Sequence, residues 1–341
     1  MSAHPSNANH STEGEYEDLL SLWSDLESAL SMLLSRPLQV QDFAAKVRQF
    51  DHWLQDLVAH DIDAALYLMF QLASTSTVGY SASHALVCGT LCHILAQELQ
   101  LPPQERDSLV RAAFTMNIGM TALQDELASQ RERPNPAQQD AIRNHPQESQ
   151  TILERLYVTD HLWLDVVGQH HERPHERTPL AELEDVERLT RILGTIDRYA
   201  AMISPRQSRP GRSALDSVRA LDSVRALVGP GIDQRDEVGY ALVRCVGLCP
   251  PGTLVKLDNG DTAIVLRRSE KANLPLVASL LDRSGTHYRE PRLHQTSHGK
   301  PRIQSALPRM SVVVEMNHRT MVRLGLYAAQ RSTGLVSQLP T

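Results

Sequence analysis

The chain has 341 residues, of which 41% are apolar and 22% charged, and its formal net charge is -6. This composition is typical of a globular protein with one large or two modest domains. The negative charge excludes a general electrostatic attraction to nucleic acid or to an anionic membrane. Aromatic residues make up only 4%, so aliphatic side chains must fill the core, which favours packed helices.

Nothing in the sequence predicts membrane insertion. The N-terminus lacks a charged-then-apolar leader, and the longest apolar stretch, residues 64–73, is too short to span a bilayer. We therefore expect a cytoplasmic protein with no membrane partner.

The N-terminal part of the chain divides into a tail and a helical region. Residues 1–13 are rich in Ser, Asn and His without periodicity, which predicts a disordered tail. Residues 14–78 have helical spacing but carry no ionisable cluster that indicates chemistry, so we interpret them as a regulatory or dimerising region. The first helix has one apolar stripe, formed by Leu19, Leu22, Leu26, Leu30 and Leu33.

Residues 79–250 are predicted to form a helical domain. Prolines at 102, 103, 134 and 136 mark helix starts and breaks. The tandem copy of LDSVRA at 215–226 is interpreted as a duplication without function. The cysteines occur as Cys88 with Cys92 and Cys245 with Cys249, each pair on one predicted helix face, which favours reduced structural thiols over a zinc knuckle. Helices are predicted at 81–100, 103–116, 137–144, 147–156, 160–171 and 182–203.

Residues 251–285 change to strand-like alternation. Two predicted strands, 253–257 and 262–266, flank an Asn-Gly turn, which is the strongest short signal of a β-hairpin. A third strand is predicted at about 276–281. Residues 286–341 give no clear pattern and are treated as an uncertain tail.

Candidate metal ligands lie on the predicted helices or at their ends. Histidine and aspartate bind first-row metals, and a lone histidine is more often structural than a ligand. The pair His170-His171 followed by Glu172, with an aspartate one helix later, is more specific. The candidate ligands are His84, His145, His170, His171 and Asp197.

The order of these residues resembles the HD-GYP branch of the HD phosphohydrolases over about residues 81–282. That family has His, then His-Asp-x-Gly-Lys, then His, then His-His-Glu, then Asp-x-Tyr-x-Ala. The resemblance implies a mainly α fold, in which an HD-type helical bundle follows the N-terminal helices and precedes a small β-hairpin element. The corresponding segments here are His84, Met116-Asn117-Ile118-Gly119-Met120, His145, His170-His171-Glu172 and Asp197-Arg198-Tyr199-Ala200.

The central motif departs from the family. The resemblance implies that the doublet's aspartate bridges two metals, whereas Asn117 is neutral and a weak ligand, and Met116 offers only a thioether. Met120 stands where the family lysine contacts the scissile phosphate. We therefore expect no intact catalytic set and at most one transition-metal ion (Fe, Mn or Zn). Its ligands would be the histidines at 145, 170 and 171, and a bridged dinuclear cluster is not expected.

The nucleotide-binding residues are also implied by the resemblance. Arg206 and Arg209 lie where the family carries basic groups for the phosphates of cyclic di-GMP, and Arg212 adds a third guanidinium. A solvated basic loop is the alternative interpretation. The loop after His171 lacks the family's Gly-Tyr-Pro segment, so close backbone approach to a ligand is harder.

The sequence thus favours a degenerate HD-GYP protein of bacterial cyclic-di-GMP signalling, with little or no hydrolysis. It would bind the nucleotide or a protein partner such as a diguanylate cyclase domain, and a homodimer is compatible with the N-terminal region. One alternative is a weakly active metal-dependent cyclic-di-GMP phosphodiesterase. Another is a helical scaffold whose histidines have no remaining role.

Overall fold

The structure is a computed structural model that describes residues 7–75, 78–172, 178–203, 237–307 and 318–336. It confirms a mainly α protein with a small antiparallel sheet towards the C-terminus. The helices are α1 Asn7–Ser35, α2 Phe43–His60, α3 Ile62–Thr75, α4 Tyr80–Glu98, α5 Pro103–Thr115, α6 Thr121–Ser129, α7 Pro136–Arg155, α8 His161–Gln169, α9 Asp185–Ile203, α10 Glu237–Val246 and α11 His318–Val336. No helix in these ranges is both long and apolar enough to cross a bilayer.

Helix α4 lies at the centre of the bundle. Every residue from Ser81 to Ala96 is buried, as expected for a helix that is apolar on all sides. It packs against α1, α3, α5, α9 and α10. The N-terminal helices and the later helices therefore share one continuous hydrophobic core.

Helix α1 differs in detail from its predicted apolar stripe. Trp23 is fully buried, whereas Leu22 is 38% exposed. The other four predicted leucines are buried, so the stripe includes Trp23 in place of Leu22. The helix begins at Asn7 and so includes residues 7–13, which the composition assigned to a disordered tail.

Helix α7 is continuous where the sequence predicted two helices. Pro146 lies inside the helix, and its missing amide removes one backbone hydrogen bond without ending the helix. The start is fixed by a capping box in which Asn135 and Gln138 exchange side-chain and backbone hydrogen bonds of 2.9 Å.

Two further features differ from the sequence prediction. Helix α6 was not predicted. Cys249 lies beyond the end of α10 and so shares no helix with Cys245.

The C-terminal sheet has five antiparallel strands in the order β4-β3-β2-β1-β5. The predicted hairpin is present, and Gly260 in its turn has φ +89°, a value that favours glycine. Arg267 binds Asp61 at 2.7 Å, which ties β2 to the start of α3. The strands are β1 Leu254–Leu257, β2 Thr262–Arg267, β3 Leu276–Leu281, β4 His287–Gln295 and β5 Ile303–Ala306. The last two lie in the segment that the sequence left uncertain.

Candidate metal centre

His84 and Asp197 meet between α4 and α9. Nε2 of His84 lies 2.8 Å from Oδ1 of Asp197, and the histidine is buried while the Asp197 side chain is 17% exposed. The Tyr80 ring stacks on the imidazole with a centroid distance of 5.5 Å. Nδ1 of His84 has no hydrogen-bond partner within the described ranges. The contact to Asp197 and the stacking of Tyr80 therefore orient this imidazole.

His145 is oriented by the proline that follows it. Pro146 has no amide hydrogen, so it cannot donate to the carbonyl of Ile142 four residues earlier. Nδ1 of His145 lies 2.6 Å from that oxygen and occupies the donor's place. With its proton on Nδ1, the imidazole presents the Nε2 lone pair to the pocket, as a metal-binding histidine requires.

His170 is oriented in the same way at the end of α8. The last carbonyls of a helix have no partner within it, and Nδ1 of His170 lies 2.7 Å from the carbonyl of Val167. Nε2 of His170 is 3.1 Å from Nε2 of His145, so two lone pairs face each other. The ring of the exposed His171 lies 4.3 Å from that of His170 and 5.0 Å from that of His145, measured between centroids.

This arrangement fits a bound cation. Metal–nitrogen bonds of about 2.0–2.1 Å place neighbouring imidazole nitrogens roughly 3.0–3.4 Å apart, which matches the 3.1 Å between His145 and His170. Two facing lone pairs without a cation or a proton between them would repel. The three histidines of this group are thus a suitable donor set for one transition-metal ion, with room for a further ligand.

The pKa shifts of His145, His170 and Asp197 keep these side chains in the protonation states that bind metals. Burial, together with the nearby His171, lowers the pKa of His145 to about 4 and that of His170 to about 3. Burial alone would raise the pKa of Asp197, but the hydrogen bond from His84 and the nearby His170 and His171 hold it well below its usual range. Neutral imidazoles and an ionised carboxylate are the forms that bind metals.

The segment from Met116 to Met120 connects α5 to α6 and packs against α7. Met116 ends α5 and is buried, and Asn117 follows with φ -104° and ψ 12° before a short 3-10 turn. The amide of Gly119 donates to Oγ of Ser149 on α7 at 3.0 Å. A Cβ at Gly119 would lie 3.0 Å from the Ser149 amide nitrogen, so the segment needs glycine to approach α7 this closely.

The side chain of Trp163 ties α8 to the end of α5, next to that segment. Its Nε1 donates to Oγ1 of Thr115 at 2.8 Å, and Asp160 caps α8 by accepting the Trp163 amide at 3.0 Å. Oδ2 of Asp160 also accepts from Ser108 at 2.8 Å. The doublet position and the histidines at the end of α8 are therefore held in one rigid unit.

Among the described residues, the donor atoms form two separate groups of three, each within 4.8 Å. One group contains the three histidines at 145, 170 and 171. The other contains His84, Asp197 and Cys88, which the sequence analysis treated as a structural thiol. Cys88 lies one helical turn after His84, and this i, i+4 spacing was the signal that could have identified it.

The remaining predicted site residues are not placed. Arg206, Arg209 and Arg212 lie outside the described residues, as do the segment 173–177 of the loop after His171 and the repeat at 215–226. Their roles stay predictions.

Comparisons with known proteins identify a family for the part of the chain that contains these residues. Residues 66–232 match the family described as HD domain. The chain is 27% identical over 283 residues to a cyclic di-GMP phosphodiesterase of Pseudomonas aeruginosa, an alignment that covers 80% of this chain. It covers 65% of the relative, so the chain spans slightly less than two thirds of that protein's length. No solved structure matches the chain significantly.

HD domains are metal-dependent, and both candidate donor groups lie on elements within or ending in the matched range. The match therefore identifies an HD domain at residues 66–232, and together with the relative it supports the HD phosphohydrolase superfamily.

Proposed function

We propose that this chain is a degenerate HD-GYP protein of cyclic-di-GMP signalling that binds the nucleotide and hydrolyses it little or not at all. The observation that carries the proposal is the neutral Asn117 at the position of the family's bridging carboxylate, while the metal donors of the described residues fall into two groups of three. A neutral amide is a poor link between two cations. The proposed pocket thus holds an ion at the three histidines without a bridged pair.

Nucleotide binding is supported by the charge of an ion held at the three histidines. Three neutral imidazoles leave the full charge of a divalent ion uncompensated, and that charge attracts a phosphate oxygen. When bound, the ion would act as a Lewis acid towards that oxygen. His145 and His170 would hold it in place, because their Nδ1 atoms are fixed by backbone carbonyls. We assign the other phosphate contacts to Arg206 and Arg209.

Weak hydrolysis is expected because two groups that act on the transition state are replaced. Paired ions stabilise the attacking and leaving oxygens in a two-metal hydrolase, and that pairing needs the missing carboxylate. Met120 provides no positive charge for the scissile phosphate. Neither loss prevents the pocket from recognising a nucleotide.

The test uses the full chain with cyclic di-GMP and either Fe²⁺ or Mn²⁺. Calorimetry measures binding, chromatography measures linear product, and metal content is determined on the same sample. We expect binding without product, while the Pseudomonas aeruginosa relative serves as the active control. Turnover approaching that of the relative would contradict the proposal, and absence of binding would favour the scaffold alternative.

The binding residues have a matched test. Arg206→Ala combined with Arg209→Ala should weaken nucleotide binding at least about tenfold, because each guanidinium contributes a charge-assisted contact to phosphate. Arg283→Ala combined with Arg289→Ala removes the same charge from exposed positions on the sheet and should leave binding unchanged. An equal loss in both double variants would indicate a general effect of charge.

A weakly active phosphodiesterase is the second candidate. The observation that favours it is the similarity to a protein named cyclic di-GMP phosphodiesterase, together with the retained histidine group. Slow, metal-dependent formation of linear product that disappears in His170→Ala would support this candidate. A protein partner, such as a diguanylate cyclase domain, is a separate proposal, and co-purification with and without cyclic di-GMP tests it.

A further inference from the structure

We infer that Cys88 is a metal ligand and that, with His84 and Asp197, it forms a second, separate site for a thiophilic divalent ion such as Zn²⁺. The inference rests on the proposed function only because the two proposed metal sites lie in the same pocket. It requires neither cyclic di-GMP nor hydrolysis. It extends the single ion of the proposal to two ions.

The distances between the three donors support coordination. Sγ of Cys88 lies 3.6 Å from Nε2 of His84, and the same Nε2 lies 2.8 Å from Oδ1 of Asp197. In a tetrahedral zinc site, bonds of about 2.3 Å to sulfur and about 2.0–2.1 Å to nitrogen separate these two donors by about 3.5 Å. The cysteine and the histidine thus already have a suitable spacing. The carboxylate oxygen of Asp197 is closer to Nε2 than two ligands of one ion would be, so it would need to move away from it on binding.

The position of Cys88 distinguishes it from an ordinary core thiol. A buried free cysteine usually behaves as a small apolar side chain. Cys92 is such a case, since it is fully buried one turn further along α4 and is absent from both donor groups. Cys88 is equally buried but faces an imidazole and a carboxylate. Asp197, which is partly exposed, leaves an approach for the ion.

Cys88 compensates for the imidazole that is missing at position 116. His84 and Asp197 alone would make a poor site, and Met116 offers only a thioether. The thiol of Cys88 restores a third strong donor from a different helix. On binding, the thiol releases its proton to solvent, and the imidazole proton of His84 shifts from Nε2 to Nδ1. The sulfur and Nε2 electron pairs are then free to bind the ion. A thiolate prefers zinc to manganese or magnesium.

The charge of this second site indicates a structural role. One thiolate and one carboxylate neutralise a divalent ion, whereas the three histidines of the other group leave its charge intact. The neutralised ion is less able to attract phosphate. It would instead tie α4 to α9, the two helices that contribute its ligands.

The test is a cobalt titration of the metal-free full chain without nucleotide. Thiolate bound to Co²⁺ gives a near-ultraviolet charge-transfer band, which imidazole and carboxylate do not give. We expect the band in the wild type, its loss in Cys88→Ser and its retention in Cys92→Ser, the matched control from the same helix. Circular dichroism verifies that each variant is folded.

A measurement on the wild type keeps the test independent of the variants. X-ray absorption of the zinc-loaded protein should detect one sulfur neighbour at about 2.3 Å. Nitrogen and oxygen neighbours alone, or a cobalt band that persists in Cys88→Ser, would overturn the inference. A normal band in a protein that does not bind cyclic di-GMP would refute the proposed function and leave this inference standing.

Discussion

Nδ1 of His145 lies 2.6 Å from the carbonyl oxygen of Ile142, an oxygen that would accept a backbone amide if residue 146 were not proline. The proline therefore sets the proton position on the imidazole, because the freed carbonyl fixes the hydrogen on Nδ1 and leaves Nε2 for a ligand. A residue that is unfavourable inside a helix thus acts here as a positioning residue for its neighbour.

The first prediction concerns the replacement of Pro146. Pro146→Ala restores an amide that competes for the Ile142 carbonyl, so we expect up to about tenfold weaker metal binding at the three histidines. The metal-free protein should be no less stable, since alanine is the better helix former. A competition assay with a chromophoric chelator measures the affinity. Pro136→Ala, at the first turn of the same helix, is the control, and unchanged affinity in both variants would contradict the prediction.

The second prediction concerns a variant in which the His-Asp doublet of the family is restored at positions 116 and 117, together with the lysine at position 120. The triple variant restores a metal ligand through Met116→His and the bridging carboxylate through Asn117→Asp. Met120→Lys restores a cation for the scissile phosphate. We expect bound metal to increase and linear product from cyclic di-GMP to form at least about tenfold faster, because both kinds of group act on the transition state. Product is measured by chromatography beside metal content.

The control for this triple variant is Asn273→Asp, which makes the same amide-to-carboxylate change at an exposed position before β3. It should bind metal and nucleotide as the wild type does. If the triple variant gains neither metal nor turnover, the doublet is not what limits the reaction.

The third prediction concerns the hydrogen bond between Trp163 and Thr115. Trp163→Phe removes the donor and leaves a small cavity at a fully buried position. We expect the free energy of unfolding to decrease by about 1–3 kcal/mol. Trp53→Phe is the control, because Trp53 is only partly buried. Urea denaturation compares the two, and equal losses would show that the hydrogen bond contributes little.

The fourth prediction is a loss of stability of the metal-free protein in mild acid. The pKa of His145 is lowered to about 4 and that of His170 to about 3, by burial above all. Between these values and the unfolded pKa of about 6.5, the unfolded chain binds more protons than the folded one. Stability therefore falls as pH decreases through this window, by about 1–3 kcal/mol for each histidine.

Urea midpoints from pH 7.5 to 5, measured with a chelator present, test the pH dependence. His170→Gln should flatten the curve, since glutamine cannot titrate. Asp197 does not contribute in this window, because its pKa lies well below the usual range and its ionised form persists. A midpoint that is constant across the window would contradict the assigned shifts.

The sequence predicted the ligand types and their order, but the orientation of the ligands depends on backbone detail. Proline is expected to end a helix, so two helices were predicted around His145, whereas the capping box and packing keep α7 intact. That continuity creates the bond from His145 to the Ile142 carbonyl. The spacing of Cys88 and Cys92 predicted core thiols, whereas the proximity of Cys88 to Asp197 depends on how α4 packs against α9.

Two differences in the fold have simple physical causes. Adjacent positions on a helix differ by only about 100°, so an apolar stripe that contains both Leu22 and Trp23 does not determine which of them is buried. Strand β4 is largely exposed and therefore lacks the alternation of apolar residues that identifies a half-buried strand. Residues 287–295 gave no strand pattern for that reason.

The shared core of α1 and α4 affects how this protein can be divided. Oγ of Ser83 donates to the buried carboxylate of Glu27, directly before the histidine at position 84. Truncation at residue 79 would uncover the apolar side of α4 and leave Ser83 without this acceptor. A stimulus that shifts α1 would also reach the first ligand across a single helix–helix contact, so an input at the N-terminus needs no hinge or linker to be transmitted.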